Sequence, residues 1–233
     1  MTDPNTPRIN PWTALLRILT DPLDTFERLG TRPAILPAYL LQMVTGLAGA
    51  WMVLPLTLQA LQEVPAGTLT AEQMAMVEKT ATAMALVEPL VVPWITGGLL
   101  ALVAAFVAQF MGGSLGLRPY FGMVGYARVP LAINTLLTSF LASRADSLAE
   151  AATMSLSPAA FLPAGSSPYA TALLGMINPF GIWYYVLLAL GFAALHRNRP
   201  AQGAPLAGVV FLINLAGALI SAALASTRSL LQP

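Results

Sequence analysis

The sequence has 233 residues, of which 57% are hydrophobic and only 9% charged, with a mean hydropathy of +0.71. A soluble domain carries roughly 25% charge, so this chain cannot cover a water-facing surface of its own and lipid must be part of its solvent. A formal net charge of +1 gives no electrostatic reason to expect nucleic acid, and the absence of cysteine excludes disulfides, thiolate metal sites and cysteine nucleophiles.

The chain opens with a proline-punctuated lead-in over residues 1–33, which holds Pro4, Pro7, Pro11, Pro22, Pro33 and four arginines. It does not read as a cleavable signal peptide: the first long apolar run follows it and lacks a clean cleavage site at its end. The first span is therefore expected to stay in the protein. Asn10-Pro11 and Asp21-Pro22 each offer an N-cap residue followed by proline at the first helical position. The first of these helices is expected to place Trp12, Leu15, Leu16 and Leu19 on one face, and the second Leu23, Phe26 and Leu29. Both read as interfacial amphipathic helices that cover the cytoplasmic end of a bundle or rest on the membrane surface.

A hydrocarbon core about 30 Å thick needs about 20 apolar residues in helix. Five segments qualify, at 34–60, 89–111, 120–142, 170–195 and 205–226, leaving 227–233 as a tail. The expected fold is all-α, a polytopic five-helix transmembrane bundle behind N-terminal interfacial amphipathic helices. With the N-terminus inside, Arg8, Arg17, Arg28, Arg32, Arg118, Arg197 and Arg199 fall on the inner side, against Lys79, Arg144 and Arg228 outside. That bias predicts a cytoplasmic N-terminus and an outer C-terminus. On the outer side, Thr70 and Gln73 form a capping-box pattern, and Met74, Val77, Ala81 and Met84 share a helical face. The loop from Arg144 to Ser167 carries a short helical stretch near Asp146–Met154, then Pro158 and Pro163.

Polar side chains in hydrocarbon are costly enough to be informative. The candidate cluster is Arg128, Asn134, Asn178, Tyr185 and Asn214, with Tyr184 and Glu88 nearby in sequence. At 1.5 Å per residue, Arg128 falls about 5 Å inside its span's centre, Asn134 and Asn178 about 4–6 Å outside it, and Asn214 near the middle. Glu88 is expected about 20 Å from Arg128 in depth, as a solvated interfacial carboxylate. Arg128, Ala132, Thr135 and Ser139 share a face, as do Asn178, Gly181, Tyr185 and Ala189. So do Asn214, Gly217, Ala218, Ser221 and Ala225. Such stripes of small and polar residues suit close helix packing, so the third, fourth and fifth spans are expected to meet along them. The cluster is then either a polar cavity for an ion, solute or lipid headgroup, or hydrogen bonding that fixes the bundle. Pro89, Pro93, Pro130 and Pro179 each free a carbonyl four residues earlier, which suits a site or a hinge.

Catalytic chemistry is missing from the pattern. One histidine, His196, and one carboxylate near a span make neither a zinc nor a di-metal site, and no nucleophile elbow or P-loop occurs. Gly112-Gly113-Ser114-Leu115-Gly116 reads as a turn. No cofactor is expected.

The run Gly112-Gly113 followed by Phe121-Gly122-Met123-Val124-Gly125-Tyr126-Ala127-Arg128-Val129-Pro130 resembles the central signature of the Yip (Ypt-interacting protein) domain. Asn178-Pro179-Phe180-Gly181-Ile182-Trp183 through Leu190-Gly191 is similar to that family's later span, and Trp12, Leu19, Pro22 and Phe26 to the lead-in of its short prokaryotic members. The resemblance implies a five-span membrane protein with no enzymatic activity, acting through contacts with other membrane components. It points to a prokaryotic plasma membrane, with the bilayer, membrane proteins or a homo-oligomer as partners. Eukaryotic relatives bind small Rab-type GTPases through a longer cytoplasmic region; no Asp-Leu-Tyr-Gly-Pro-like motif occurs here, so GTPase binding is not expected. The rival reading is a small transporter, channel or lipid-moving protein built around Arg128.

Overall fold

The computed structural model describes residues 9–30, 33–63, 68, 70–113, 115–163, 165–197 and 200–231. The start of the lead-in, Arg8, Arg32, Ser114, Arg199 and the last two residues of the tail lie outside them. Among the described residues all regular structure is helical. The order is α1 (Pro11–Thr20), α2 (Pro22–Leu29), α3 (Leu36–Gln62), α4 (Ala71–Phe110), α5 (Leu117–Ala127), α6 (Val129–Ala142), α7 (Leu148–Thr153), α8 (Pro168–Gly175), α9 (Pro179–Leu195) and α10 (Ala204–Leu231). Short 3-10 turns lie at Pro158–Phe161 and Pro200–Gly203.

Three helices, α3, α4 and α10, are long and apolar enough to cross a membrane, and α8 with α9 makes a fourth candidate if the pair, bent by 52°, is one span. Two expected spans are thus broken. The segment 120–142 divides at Arg128 into α5 and α6, because Pro130 has no N–H to continue the ladder. The segment 170–195 breaks before Asn178-Pro179.

The second expected span is longer than the sequence suggested. Thr70 and Gln73 close both bonds of the capping box, but the helix they open runs without interruption through Pro89 and Pro93 to Phe110. The outer helix and the span at 89–111 are one element, and Lys79 lies within it rather than in a connection. Prolines are tolerated inside membrane helices because neighbours satisfy the freed groups.

Register between α3 and α4 follows from two close approaches. Gly46 lies against Pro89, and Gly97 against the Tyr39 ring. The helices are antiparallel, and the start of α3 stands opposite the residues near Leu99, so the last turns of α4 run on past it. Those turns pack instead on α5 and α10. Eight of the 11 residues of α5 are buried, which makes it the core of this end of the molecule rather than a lipid-facing helix.

Against that core sit α1 and α2. Asn10 caps α1, its side chain accepting from the Trp12 N–H at 2.9 Å. Asp21 precedes α2 but makes no side-chain cap; its carboxylate pairs with Arg17 instead. The buried face of α1 is Ala14, Leu15 and Ile18, whereas Trp12 and Leu16 point outward at 57% and 74% exposure. The expected apolar face is therefore split: Leu15 and Leu19 meet the core, and Trp12 and Leu16 face the surroundings. In α2, Phe26 is buried against Gly191.

The Tyr126 hydroxyl lies 3.2 Å from the Pro11 carbonyl and 3.1 Å from that of Ala34, tying α1 and the entry of α3 to α5. Tyr126→Phe removes this tie at constant shape and is expected to cost about 1 kcal/mol. A lower thermal midpoint and faster limited proteolysis near α1 in detergent check it.

Candidate functional site

The structure does not gather the five candidate side chains into one cluster. They form three separate groups. Asn178 Nδ2 donates to Asn134 Oδ1 at 2.9 Å, joining α9 to α6. Asn214 Nδ2 donates to the Tyr185 hydroxyl at 2.9 Å, joining α10 to α9. Arg128 meets neither pair; its Nη1 donates to the Thr96 hydroxyl at 2.6 Å and to the Pro93 carbonyl at 3.3 Å, both on α4.

The stripes explain the separation. The face of Arg128, Ala132 and Thr135 turns toward α3 and α4, not toward α9 and α10. Small residues on α3 make the approach possible: a side chain at Gly49 would meet Ser139 and Thr135. On α10 the packed positions are Leu206, Val210 and Ala222, while Asn214, Gly217, Ser221 and Ala225 stay exposed.

Between α3, α4 and α6 lies an open cavity of about 320 Å³. Gln42 and Thr45 line it from α3, Glu88 from α4, Arg128 from the α5–α6 break and Thr135 from α6. Gln42 and Thr45 were not among the candidates, although a glutamine inside an apolar run carries the same signal as the asparagines. Thr96 was missed because nothing local marks a residue whose partner is 32 positions away. Glu88 shares the cavity with Arg128, which revises the expected separation. Arg128 reaches α4 at Pro93 and Thr96, five and eight residues beyond Glu88, so the axial offset is about 8–12 Å. Depth-matched spans at 89–111 and 120–142 would give the larger separation, and the actual stagger of the helices removes that match.

Ion pairs lie at the end of the molecule formed by α1, α2 and α5. Asp24 bridges Arg17 at 2.9 Å and Arg28 at 2.7 Å, fastening α1 to α2. At the end of α9, His196 Nε2 lies 3.0 Å from the Tyr120 hydroxyl, with Gly113 packed against its ring. Among the described residues no group of three His, Asp or Glu converges to hold a metal ion.

Burial pushes the His196 imidazole below the usual histidine range. The unfolded chain, with a pKa near 6.5, then takes up the proton first as pH falls. The stability tied to neutral His196 is complete above about pH 6.5 and is lost as the pH falls toward the folded value. Acidification should therefore lower the thermal midpoint of the wild type more than that of His196→Gln, measured across a pH series.

Long apolar helices, lipid-compatible exposed faces such as Phe106 and Phe110 on α4 at 60% and 77%, and polar groups paired between helices define an integral membrane protein of the polytopic α-helical class. The Yip1 domain family model matches residues 16–222, and the chain belongs to that family. No curated protein and no solved structure matches it. The signature residues have physical work in the fold. Gly122 admits Pro33, Gly125 admits the Tyr39 ring, and Asn178-Pro179 starts α9.

Proposed function

We propose that this Yip-family protein acts without catalysing a reaction, through contacts with other membrane components, as an organising or adaptor-type protein. In this reading it crosses a prokaryotic plasma membrane five times, with α5–α6 and α8–α9 as broken spans, the N-terminus cytoplasmic and the C-terminus outside. The observation that carries it is the exposed stripe Asn214, Gly217, Ser221 and Ala225 on α10. Small residues in lipid let a second helix approach closely, and among the described residues nothing fills the space beside Gly217. The outward Trp12 and Leu16 of α1 add an apolar contact at the interfacial layer. The partner is a membrane protein or a second copy of this chain. Purification from native membranes in mild detergent tests it: co-purification of a stoichiometric partner or a homo-oligomer is expected. A lone monomer that by itself produces a solute flux in proteoliposomes would sink the reading.

A second reading is favoured by the cavity at Arg128, which suits a small transporter, channel or lipid-moving protein. Its test is flux in proteoliposomes: Arg128→Ala must abolish it, and an unchanged flux removes the site from that role.

A further inference from the structure

The cavity between α3, α4 and α6 holds more hydrogen-bonding capacity than the protein uses. Gln42 is 8% exposed, and its Nε2 donates to the carbonyls of Ala38 at 3.1 Å and Gly125 at 3.3 Å. Those two acceptors fix the orientation of the amide, since a flip would set oxygen against oxygen. Its Oε1 is left buried with no partner among the described residues. With Gly46 against Pro89 in the antiparallel pair, Gln42 stands opposite Pro93, so this acceptor belongs to the Arg128 end of the cavity. Thr45 and Thr135 donate back to their own helices, which leaves their oxygens as acceptors. Pro89 and Pro93 have no N–H, so the carbonyls of Ala85 and Pro89, both residues of the cavity wall, lose their helical donors. Glu88 adds a carboxylate that makes no ion pair among the described residues.

Only Arg128 offers donors in quantity. Its Nη1 is taken by Thr96 and Pro93, while its Nε and Nη2 meet no protein acceptor among the described residues. The cation and the carboxylate are offset by about 8–12 Å along α4, and they do not neutralise each other. An occupant with an anion at one end and a hydrogen-bond-donating cation at the other satisfies both.

We propose that this cavity binds a phosphoethanolamine group, with the phosphate on Arg128 and the primary ammonium among Glu88 and the freed carbonyls of Ala85 and Pro89. Arginine presents a planar fork of donors to phosphate oxygens, and a primary ammonium brings three donors to a wall of acceptors. Choline chemistry has no N–H to give. A bare anion leaves Glu88 unmatched, and an α-amino acid carries its charges too close together to reach both ends. The volume of about 320 Å³ corresponds to about ten water molecules at ~30 Å³ each, room for a headgroup but not for acyl chains. The group can come from phosphatidylethanolamine or from free phosphoethanolamine. The site is independent of the contact role, since its test reads neither a partner nor a flux.

The test uses the purified full chain in phosphatidylcholine nanodiscs, with phosphatidylethanolamine or phosphatidylglycerol added at equal mole fraction and retained lipid counted by native mass spectrometry. Phosphatidylethanolamine is expected to be retained about tenfold better than either other lipid, the scale of one charge-assisted hydrogen bond. Glu88→Gln, at an exposed position where folding is not at stake, should erase most of that preference. Arg128→Met should remove retention of phosphatidylethanolamine. Free phosphoethanolamine that raises the thermal midpoint in phosphatidylcholine discs identifies a soluble source, and a response to the lipid alone identifies the lipid. Equal retention of phosphatidylethanolamine and phosphatidylcholine with no response to free phosphoethanolamine overturns the proposal. So does a preference that Glu88→Gln leaves intact.

Discussion

Gly97→Val should unfold or severely destabilise this protein, costing about 3 kcal/mol or more. The Tyr39 ring is fully buried and is stacked by Trp94 at 4.7 Å and by Phe121 at 4.5 Å. Its hydroxyl donates to the Phe121 carbonyl at 3.1 Å. A side chain at Gly97 would land on the hydroxyl end of that ring, and one at Gly125 on its opposite edge. A flexible side chain would swing away, but Tyr39 has nowhere to go, because two aromatic faces and two glycines define its slot. The cost is thus overpacking in a site that cannot relax. Thermal unfolding in detergent reads it directly. Tyr39→Leu in the Gly97→Val background should recover part of the loss, since residues in contact couple. An unchanged midpoint for Gly97→Val would mean that α3 and α4 do not meet in this register.

Asn178→Ala is expected to cost about 2 kcal/mol, the sum of two losses. Its Oδ1 accepts from the N–H groups of Phe180 at 2.8 Å and Gly181 at 3.3 Å, capping α9 where no water substitutes easily. Removing an N-cap costs about 1 kcal/mol in proteins and up to about 2. Its Nδ2 bond to Asn134 adds about 0.6 kcal/mol, the average for such pairs in membranes. Asn178→Ser separates the two, because its hydroxyl keeps the cap and is too short to reach Asn134. It should lose less than alanine does, and Asn134→Ala should reproduce only the smaller part. Thermal midpoints of the three variants under one detergent condition provide the comparison.

Local signals in the sequence are legible where the chemistry is local. Asn10-Pro11 and the Thr70–Gln73 box each specify a helix start through residues within three positions, and both bonds form as the spacing requires. Asn178-Pro179 carries the same signal as Asn10-Pro11, yet its capping role was obscured by treating 170–195 as one span. The Asp21 cap failed because Arg17, one turn earlier, offers the carboxylate a full positive charge at 3.2 Å.

What the sequence could not show is register. Depth estimates for Arg128 and Glu88 rested on span centres. The contacts of Gly46 with Pro89 and of Gly97 with Tyr39 stagger α3 against α4 and bring both charged residues to one cavity. Helical periodicity correctly put Arg128, Ala132 and Thr135 on one face, but the neighbour it faces is decided by which helices have room. The glycines of α3 supply that room, so the stripe turned away from α9 and α10. On α10 the reverse holds: the small residues were read as an internal seam, and the larger Leu206 and Val210 make the contact instead.

That exposed stripe offers the most direct test of the contact role. The chain has no cysteine, so Ser221→Cys places a single reactive thiol on the open face of α10. Treated in native membranes with a short bismaleimide, the variant should yield a discrete adduct with a membrane protein or with its own second copy. A similar thiol at the buried Ala222 should yield none. If Ser221→Cys gives no protein adduct while the purified protein alone drives flux across proteoliposomes, the contact role is wrong and the cavity at Arg128 becomes the working part of the molecule.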